Sequence, residues 1–398
     1  MQTPLSSYSF QLSSGGLIYW LFIRGHLLEP GKYHTKRRIF LFCGLSWLPL
    51  MLLSAYEGNL INSDITVSYI YDIKPYIRYL IALPLLIAAD AVIDPLIAMV
   101  IRYINSSDIL PEDGKPAFNK AFQILDRRNN SFVADVVIIG FTFLISWSYL
   151  ANLDRLDVYL AESSWASILK DDHYDITYAG WWFLFISSPL LQIMLFRWLW
   201  RFFIWCEFLF RVSRIKLALE PTHPDLSGGL GILKNSQNAF IIIFVALGTM
   251  LSVSLAQDIL YTDDTVTLAE PVILGFIVTS LVITSLPLLF FSHQLIMAKL
   301  QGRVVYGVLG YKLSRAFDEK WGKTMDSKTG RNLLDVTDNS SVCDYSDIYD
   351  AVKNMRFIPI TLREYLVQAV LLMVPFVPLI FLEMSFTDLV KRFFDTLI

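Results

Sequence analysis

Seven apolar stretches, at 39–55, 79–101, 132–153, 178–205, 239–255, 271–293 and 361–382, constrain what this chain can fold into more than any other feature. A helix of about 20 apolar residues crosses the hydrocarbon core, where no water is available to pair backbone N–H and C=O groups. With 55% hydrophobic and 17% charged residues in 398, the chain is also too apolar for an ordinary soluble protein. The expectation is an all-α integral membrane protein, a bundle of about seven transmembrane helices with a small helical cap. Its divisions are an N-terminal segment 1–38, six helices over 39–298, the cap at 299–360, and a seventh helix with an amphipathic tail at 361–398.

The loops set an orientation. Lys and Arg number 24 in the N-terminal segment and in alternate loops, against 4 in the others. Positive residues are retained on the cytoplasmic side, so the N-terminus and cap are expected to be cytoplasmic and the protein to lie in a plasma membrane. The opposite loops hold 13 acids and a net charge of −9, read as solvated surface. Residues 1–14 carry no positive charge and the apolar run 17–23 is too short to span. An interfacial or re-entrant segment is expected there rather than a leader. Cys43, Cys206 and Cys343 are scattered and form no disulfide or metal pattern.

Charges inside the spans are the candidate site. Asp90 and Asp94 stand one turn apart in one span, and Arg197 and Arg201 repeat that spacing in another. Each costs roughly 2.5 to 3.5 kcal/mol at the centre of a bilayer, so each needs a cavity, a partner or a place near water. Spacing i, i+4 puts both carboxylates on one helix face, which suits a proton or cation site, and Pro95 frees a backbone carbonyl beside them. The structural alternative is that these acids neutralise Arg197 and Arg201 across the bundle or lie near the interface. The arginines sit among Trp198, Trp200 and Trp205, so stacking on indole and snorkelling to headgroups accounts for them without function. Asp135 and His293 are further candidate lining groups.

The loop His223-Pro224-Asp225-Leu226-Ser227-Gly228-Gly229-Leu230-Gly231 is the most motif-like in the chain. Its first three residues match the tripeptide of J-domain co-chaperones, but membrane spans flank it where a J-domain needs a soluble helical module. Gly228, Gly229 and Gly231 suit a tight structural turn or an anion-binding nest beside His223 and Asp225. Asp171, Asp172, His173 and Asp175 read as an acidic turn, and no metal or cofactor is expected. Pro-Leu-Leu recurs at 84, 189 and 287. Three repeated hairpins would explain it, although chance is the preferred account because the tripeptide is common in membrane helices. A true repeat requires the three prolines to occupy equal depths.

In the cap, Val305, Leu309, Leu313, Phe317 and Trp321 recur every fourth residue, and Ile348, Val352 and Met355 form a second stripe. Two helices packing on each other or on a neighbouring subunit are expected.

Through residues 197–214, 223–231 and 353–359, the chain resembles a group of bacterial multi-pass inner-membrane proteins of about 400 residues. The resemblance implies a bacterial inner-membrane address and no particular activity. On the residues themselves, a channel or transporter-like protein is expected, working in the lipid bilayer as a homo-oligomer. The alternative is a scaffold or signalling component whose basic cap binds a cytoplasmic partner or anionic lipid. An intramembrane enzyme is the remaining reading, but no nucleophile and base can be paired. Nothing in the basic loops indicates nucleic acid.

Overall fold

The computed structural model describes residues 10–25, 33–151, 164–170, 173–261, 266–322 and 337–383. Helix α1 (Gly16–Arg24) is followed by α2 (Thr35–Tyr56), α3 (Ile73–Ser106), α4 (Lys115–Asn129), α5 (Phe132–Ala151), α6 (Tyr178–Val212), α7 (Leu233–Tyr261), α8 (Val266–Leu289), α9 (Ser292–Phe317), α10 (Thr337–Asn354) and α11 (Leu362–Leu382). Seven helices are long and apolar enough to cross a membrane, each overlapping one of the seven sequence stretches. The chain is a multi-pass, helical membrane protein. The sixth span ends at Leu289 rather than His293, because a turn at Phe290 and Phe291 separates α8 from α9.

The helical bundle carries a small two-stranded sheet in one of its loops. Strands β1 (Ser167–Lys170) and β2 (His173–Ile176) form an antiparallel hairpin between α5 and α6. Asp171 and Asp172 lie outside the described residues.

Helix α3 is the centre of the bundle. Ile87, Ile93, Ile97, Val100, Ile101 and Ile104 are all fully buried, and α3 packs along α7. Helices α5 and α11 are peripheral, and Phe132, Val133, Val137 and Leu144 on α5 are exposed as a lipid-facing side. Lipid tails are as apolar as leucine, so the helices are held by close packing and hydrogen bonds rather than by expulsion of water. Proline supplies the acceptors. Pro49 inside α2 cannot bond back to Leu45, and Trp182 Nε1 of α6 donates to that freed carbonyl at 3.1 Å. Ser187 Oγ donates to the next one, Ser46, at 2.7 Å.

Two of the three Pro-Leu-Leu positions are structurally equivalent. Helices α3 and α6 each open with a side-chain N-cap, from Asp72 and from Thr177. Each runs through one α-helical turn, then a π-helical turn at Arg78–Ala82 or Phe183–Ser187. In both, the proline follows two residues later, at Pro84 and Pro189. The widened turn accommodates its missing N–H. The residue preceding the proline, Leu83 or Ser188, resumes the α-helix, and both hairpins, α2–α3 and α5–α6, share this design. Pro287 departs from it, lying near the end of α8 with no π-turn before it. The repeat is of two hairpins, not three.

The two cap helices pack on each other, through a face of α9 other than its apolar stripe. Val305 and Leu309 of α9 are exposed, while Val352 and Met355 are buried. Helix α10 lies against Gly302, Tyr306 and Gly310 instead, with the Tyr345 hydroxyl donating to the Tyr306 carbonyl. Two glycines let the helices approach where valine and leucine would hold them apart. The side chain of Trp321 and the C-terminal tail past Glu383 fall outside what is described.

Asp72 corrects the reading of the acidic loops as wholly solvated. It is buried and accepts from Lys74 N at 2.9 Å, Trp165 Nε1 at 2.9 Å and Gln257 Nε2 at 2.6 Å. It ties the start of α3 to the segment before β1 and to α7.

Candidate functional site: a charge cluster closed by the N-terminal segment

Six ionisable side chains meet where the two repeated hairpins face each other. Arg38 is the fourth residue of α2 and Asp135 the fourth of α5. Each pairs with the second helix of its own hairpin, with the charges reversed: Arg38 Nη1 lies 2.5 Å from Asp90 Oδ2, and Asp135 Oδ1 lies 4.0 Å from Arg197 Nε. Arg201 crosses between hairpins to Asp90 Oδ1 at 3.2 Å, and its guanidinium lies 4.8 Å from the centre of the Trp198 ring. The arginines were expected to snorkel to the headgroups. Instead both are buried, Arg197 6% and Arg201 5% exposed, because carboxylates and carbonyls in the bundle meet their donors.

Helix length gives the depth. At 1.5 Å per residue, α2 and α5 are about 33 and 30 Å long, just enough to span, so their fourth residues lie within about one turn of the end. The cluster therefore belongs to one mouth of the bundle rather than its middle. It is the end from which the basic loops and the cap extend.

Residues 10–16, just ahead of the run 17–23 that the sequence places at an interface, seal this mouth. Ser13 donates to Asp94 through its backbone N at 2.9 Å and through its hydroxyl. The Ser13 carbonyl accepts from Arg201, and the Gly15 carbonyl accepts from Arg197. Asn129 Nδ2 donates to the Ser14 carbonyl at 2.5 Å. Gly15 and Gly16 have φ of +101° and +79°, a left-handed course that brings the backbone onto the carboxylate of Asp135. Phe10 and Leu12 are buried on the bundle side. Gln11 Nε2 donates to the Tyr33 hydroxyl at 3.4 Å; burial and the negative charge of Asp94 raise the Tyr33 pKa, so the phenol stays protonated.

Between these groups is a void of about 20 Å³, lined by Ser13, Tyr19, Arg38, Asp90, Arg197 and Arg201 among others. That is room for one water. The Arg201 Nε–H meets no protein acceptor there, so a water in the void has a donor to accept from.

Of the residues singled out in the sequence, the structure gathers Asp90, Asp94, Asp135, Arg197 and Arg201 at this mouth. His293 is elsewhere, exposed in the first turn of α9 and lining a separate surface groove. Sequence reasoning missed Ser13, Tyr33, Arg38, Gly15 and Gly16. Arg38 is hidden in the run Lys36-Arg37-Arg38, and the one signal for the plug is Ser13-Ser14-Gly15-Gly16, small residues set just ahead of a short apolar run.

The glycine loop after α6 closes on itself. Its N–H groups converge as a nest does, but the ligand is its own Asp225: Ser227 N and Gly229 N donate to Oδ1 at 2.8 and 3.1 Å, and Gly231 N to Oδ2 at 2.8 Å. His223 Nδ1 lies 2.9 Å from Oδ1. The donors an outside anion would use are taken, while Gly228 and Gly229, at φ +61° and +91°, carry the turn. Arg356 N donates to the Leu226 carbonyl at 2.7 Å, which fastens the loop to the chain leaving the cap. Burial works to raise the Asp225 pKa, but the N–H groups of Gly231, Ser227 and Gly229, with His223, outweigh it and hold the carboxyl below its ordinary value. A depressed folded-state pKa contributes stability above the unfolded pKa and loses it as pH falls through the folded one. The loop is thus expected to stay protected from proteolysis at neutral pH and to open only in acid. Asp225→Ala, which strands three N–H groups at a cost of about 1–3 kcal/mol, should open it at every pH. Limited proteolysis across a pH series checks both.

No protein-family model, curated protein or solved structure matches the chain, so the reading of this mouth rests on its own geometry.

Proposed function

We propose that this is a channel- or transporter-like membrane protein whose N-terminal segment holds one mouth shut. The observation that supports it is the placement of six buried charges at the seam of two repeated hairpins, closed by a piece of chain that belongs to neither. Seams between structural repeats are where membrane transporters carry their sites. Ionisable groups are kept in such bundles at a cost that pathways justify. Withdrawal of residues 10–16 removes both Ser13 donors from Asp94 and one carbonyl acceptor each from Arg197 and Arg201. Asp94 then faces the opened mouth as a carboxylate able to take a proton or small cation, with the Tyr33 hydroxyl beside it. Asp90, clamped between Arg38 and Arg201, stays a structural anion.

The test is flux through liposomes holding purified protein under proton and cation gradients. Wild type should be near silent, and Gly16→Ala, which drives a Cβ into Asp135, should leak; adding Asp94→Asn should abolish that leak.

A second reading is a membrane scaffold, favoured by the balance of three arginines with three aspartates around a void for one water. There the cluster is a lock that fixes helix register, and the basic cap binds a cytoplasmic partner or anionic lipid. Silence of both wild type and Gly16→Ala in the flux assay, with the segment demonstrably released, would favour this reading.

A further inference from the structure

A groove of about 840 Å³ opens between the end of α6, the segment 213–221 and the first turns of α9. We propose that it binds an anionic phospholipid, the phosphate at its cationic rim and the upper acyl chain along its apolar wall. This inference is independent of whether the bundle conducts.

The rim carries Arg214 and Lys216, both exposed, and His293. Among the described residues no carboxylate lies within ion-pair distance of Arg214 or Lys216, and no acid lines the groove. The nearest acid at the far edge is Glu220, which accepts from the Tyr306 hydroxyl at 3.4 Å. Phe291, the N-cap of α9, provides no side-chain acceptor. The unpaired N–H groups of that first turn, beside His293 and Gln294, therefore add to the positive potential.

The groove is rigidly built. Gln294 donates from Nε2 to the carbonyls of Ser213 at 2.6 Å and Ile215 at 2.8 Å, and accepts from Leu217 N at 3.3 Å, clamping the segment after α6 onto α9. Phe210 and Phe290 pack edge to face at 5.2 Å, with the Arg214 guanidinium 4.7 Å from the Phe210 centroid.

Position argues for a lipid over a soluble anion. The groove begins where spans α6 and α8 end, at Val212 and Leu289, and the end of an apolar span is where a bilayer gives way to its headgroups. Its apolar wall includes Phe210, 41% exposed, and Met297, 45% exposed, continuous with the lipid-facing surface of those spans. A free phosphate has no use for that wall. Surface cations attract anionic lipid and leave zwitterionic lipid largely unaffected.

The test is thermal unfolding of the full chain in dodecyl maltoside micelles titrated with dioleoyl phosphatidylglycerol, dioleoyl phosphatidylcholine or inorganic phosphate. Phosphatidylglycerol should raise Tm, and the other two should not. The double variant Arg214→Gln with Lys216→Gln, at two exposed positions, should raise the half-saturating amount of phosphatidylglycerol roughly thirtyfold, the combined weight of two surface cations. Lys312→Gln with Arg315→Gln, off the groove, should leave it unchanged. An equal response to phosphate, an equal response to phosphatidylcholine, no response to phosphatidylglycerol, or a wild-type response from the rim variant would each overturn the proposal.

Discussion

Asp90→Ala is expected to destabilise the protein by about 3–5 kcal/mol, the cost of removing one partner from a buried ion pair and leaving the other uncompensated. Asp90 serves two cations, Arg38 at 2.5 Å and Arg201 at 3.2 Å, and all three side chains are almost wholly buried. Its loss leaves two buried guanidinium groups facing each other without the carboxylate between them. The double variant Asp90→Asn with Arg201→Gln keeps the cluster neutral, with Arg38 and Arg197 against Asp94 and Asp135. It should be less destabilised than the sum of the two single variants, with a coupling of about 1–3 kcal/mol. Unfolding in detergent, followed by tryptophan fluorescence, measures the cycle. Strict additivity would mean that the Asp90–Arg201 contact contributes nothing.

Gly16→Ala acts on the plug rather than the bundle. A residue with a Cβ is strained at φ +79°, by about 1–2 kcal/mol, and that Cβ runs into the Asp135 carboxylate, which faces Arg197 and has little room to yield. A combined cost above about 2 kcal/mol shifts docking of residues 10–16 more than thirtyfold. Hydrogen exchange at the Ser13 amide, now bonded to Asp94, should accelerate by at least that factor. Exchange at Val100 and Ile101, fully buried in α3, should hold. Unchanged protection at Ser13 would show that the segment tolerates the Cβ and is no detachable plug. Slower-exchanging core amides lost along with it would show instead that the segment is part of the global fold.

The two variants differ because one strands charge inside the bundle and the other breaks a contact between the bundle and a separate segment. Local opening of a loosely held segment has its own free energy, smaller than that of the whole fold. Release by Gly16→Ala without loss of the bundle is therefore the behaviour a plug requires.

How much of the site could be read beforehand follows from the physics of each residue. Asp90, Asp94, Arg197 and Arg201 stood out because a charge in an apolar run is costly wherever it ends up, and that cost is visible from neighbours in sequence. Arg38 did not, since a basic run ahead of a span has a sufficient explanation in topology. Ser13 gave no warning either: its partner Asp94 is 81 residues away and Arg201 is 188 away. The apolar stripe of α9 predicted a helix, but the face that meets α10 carries glycines, which allow closer approach than valine and leucine do.

The sequence by itself determined the seven helices and the asymmetry of their loops, for the reason that a bilayer demands long apolar runs with internally paired backbone, a local property of the chain. Tertiary structure alone decided which charges meet, how near the mouth they sit, and that a segment of small residues folds over them. Those outcomes depend on helices distant in sequence being brought side by side, where each buried guanidinium takes whatever carboxylate or carbonyl lies within hydrogen-bond reach.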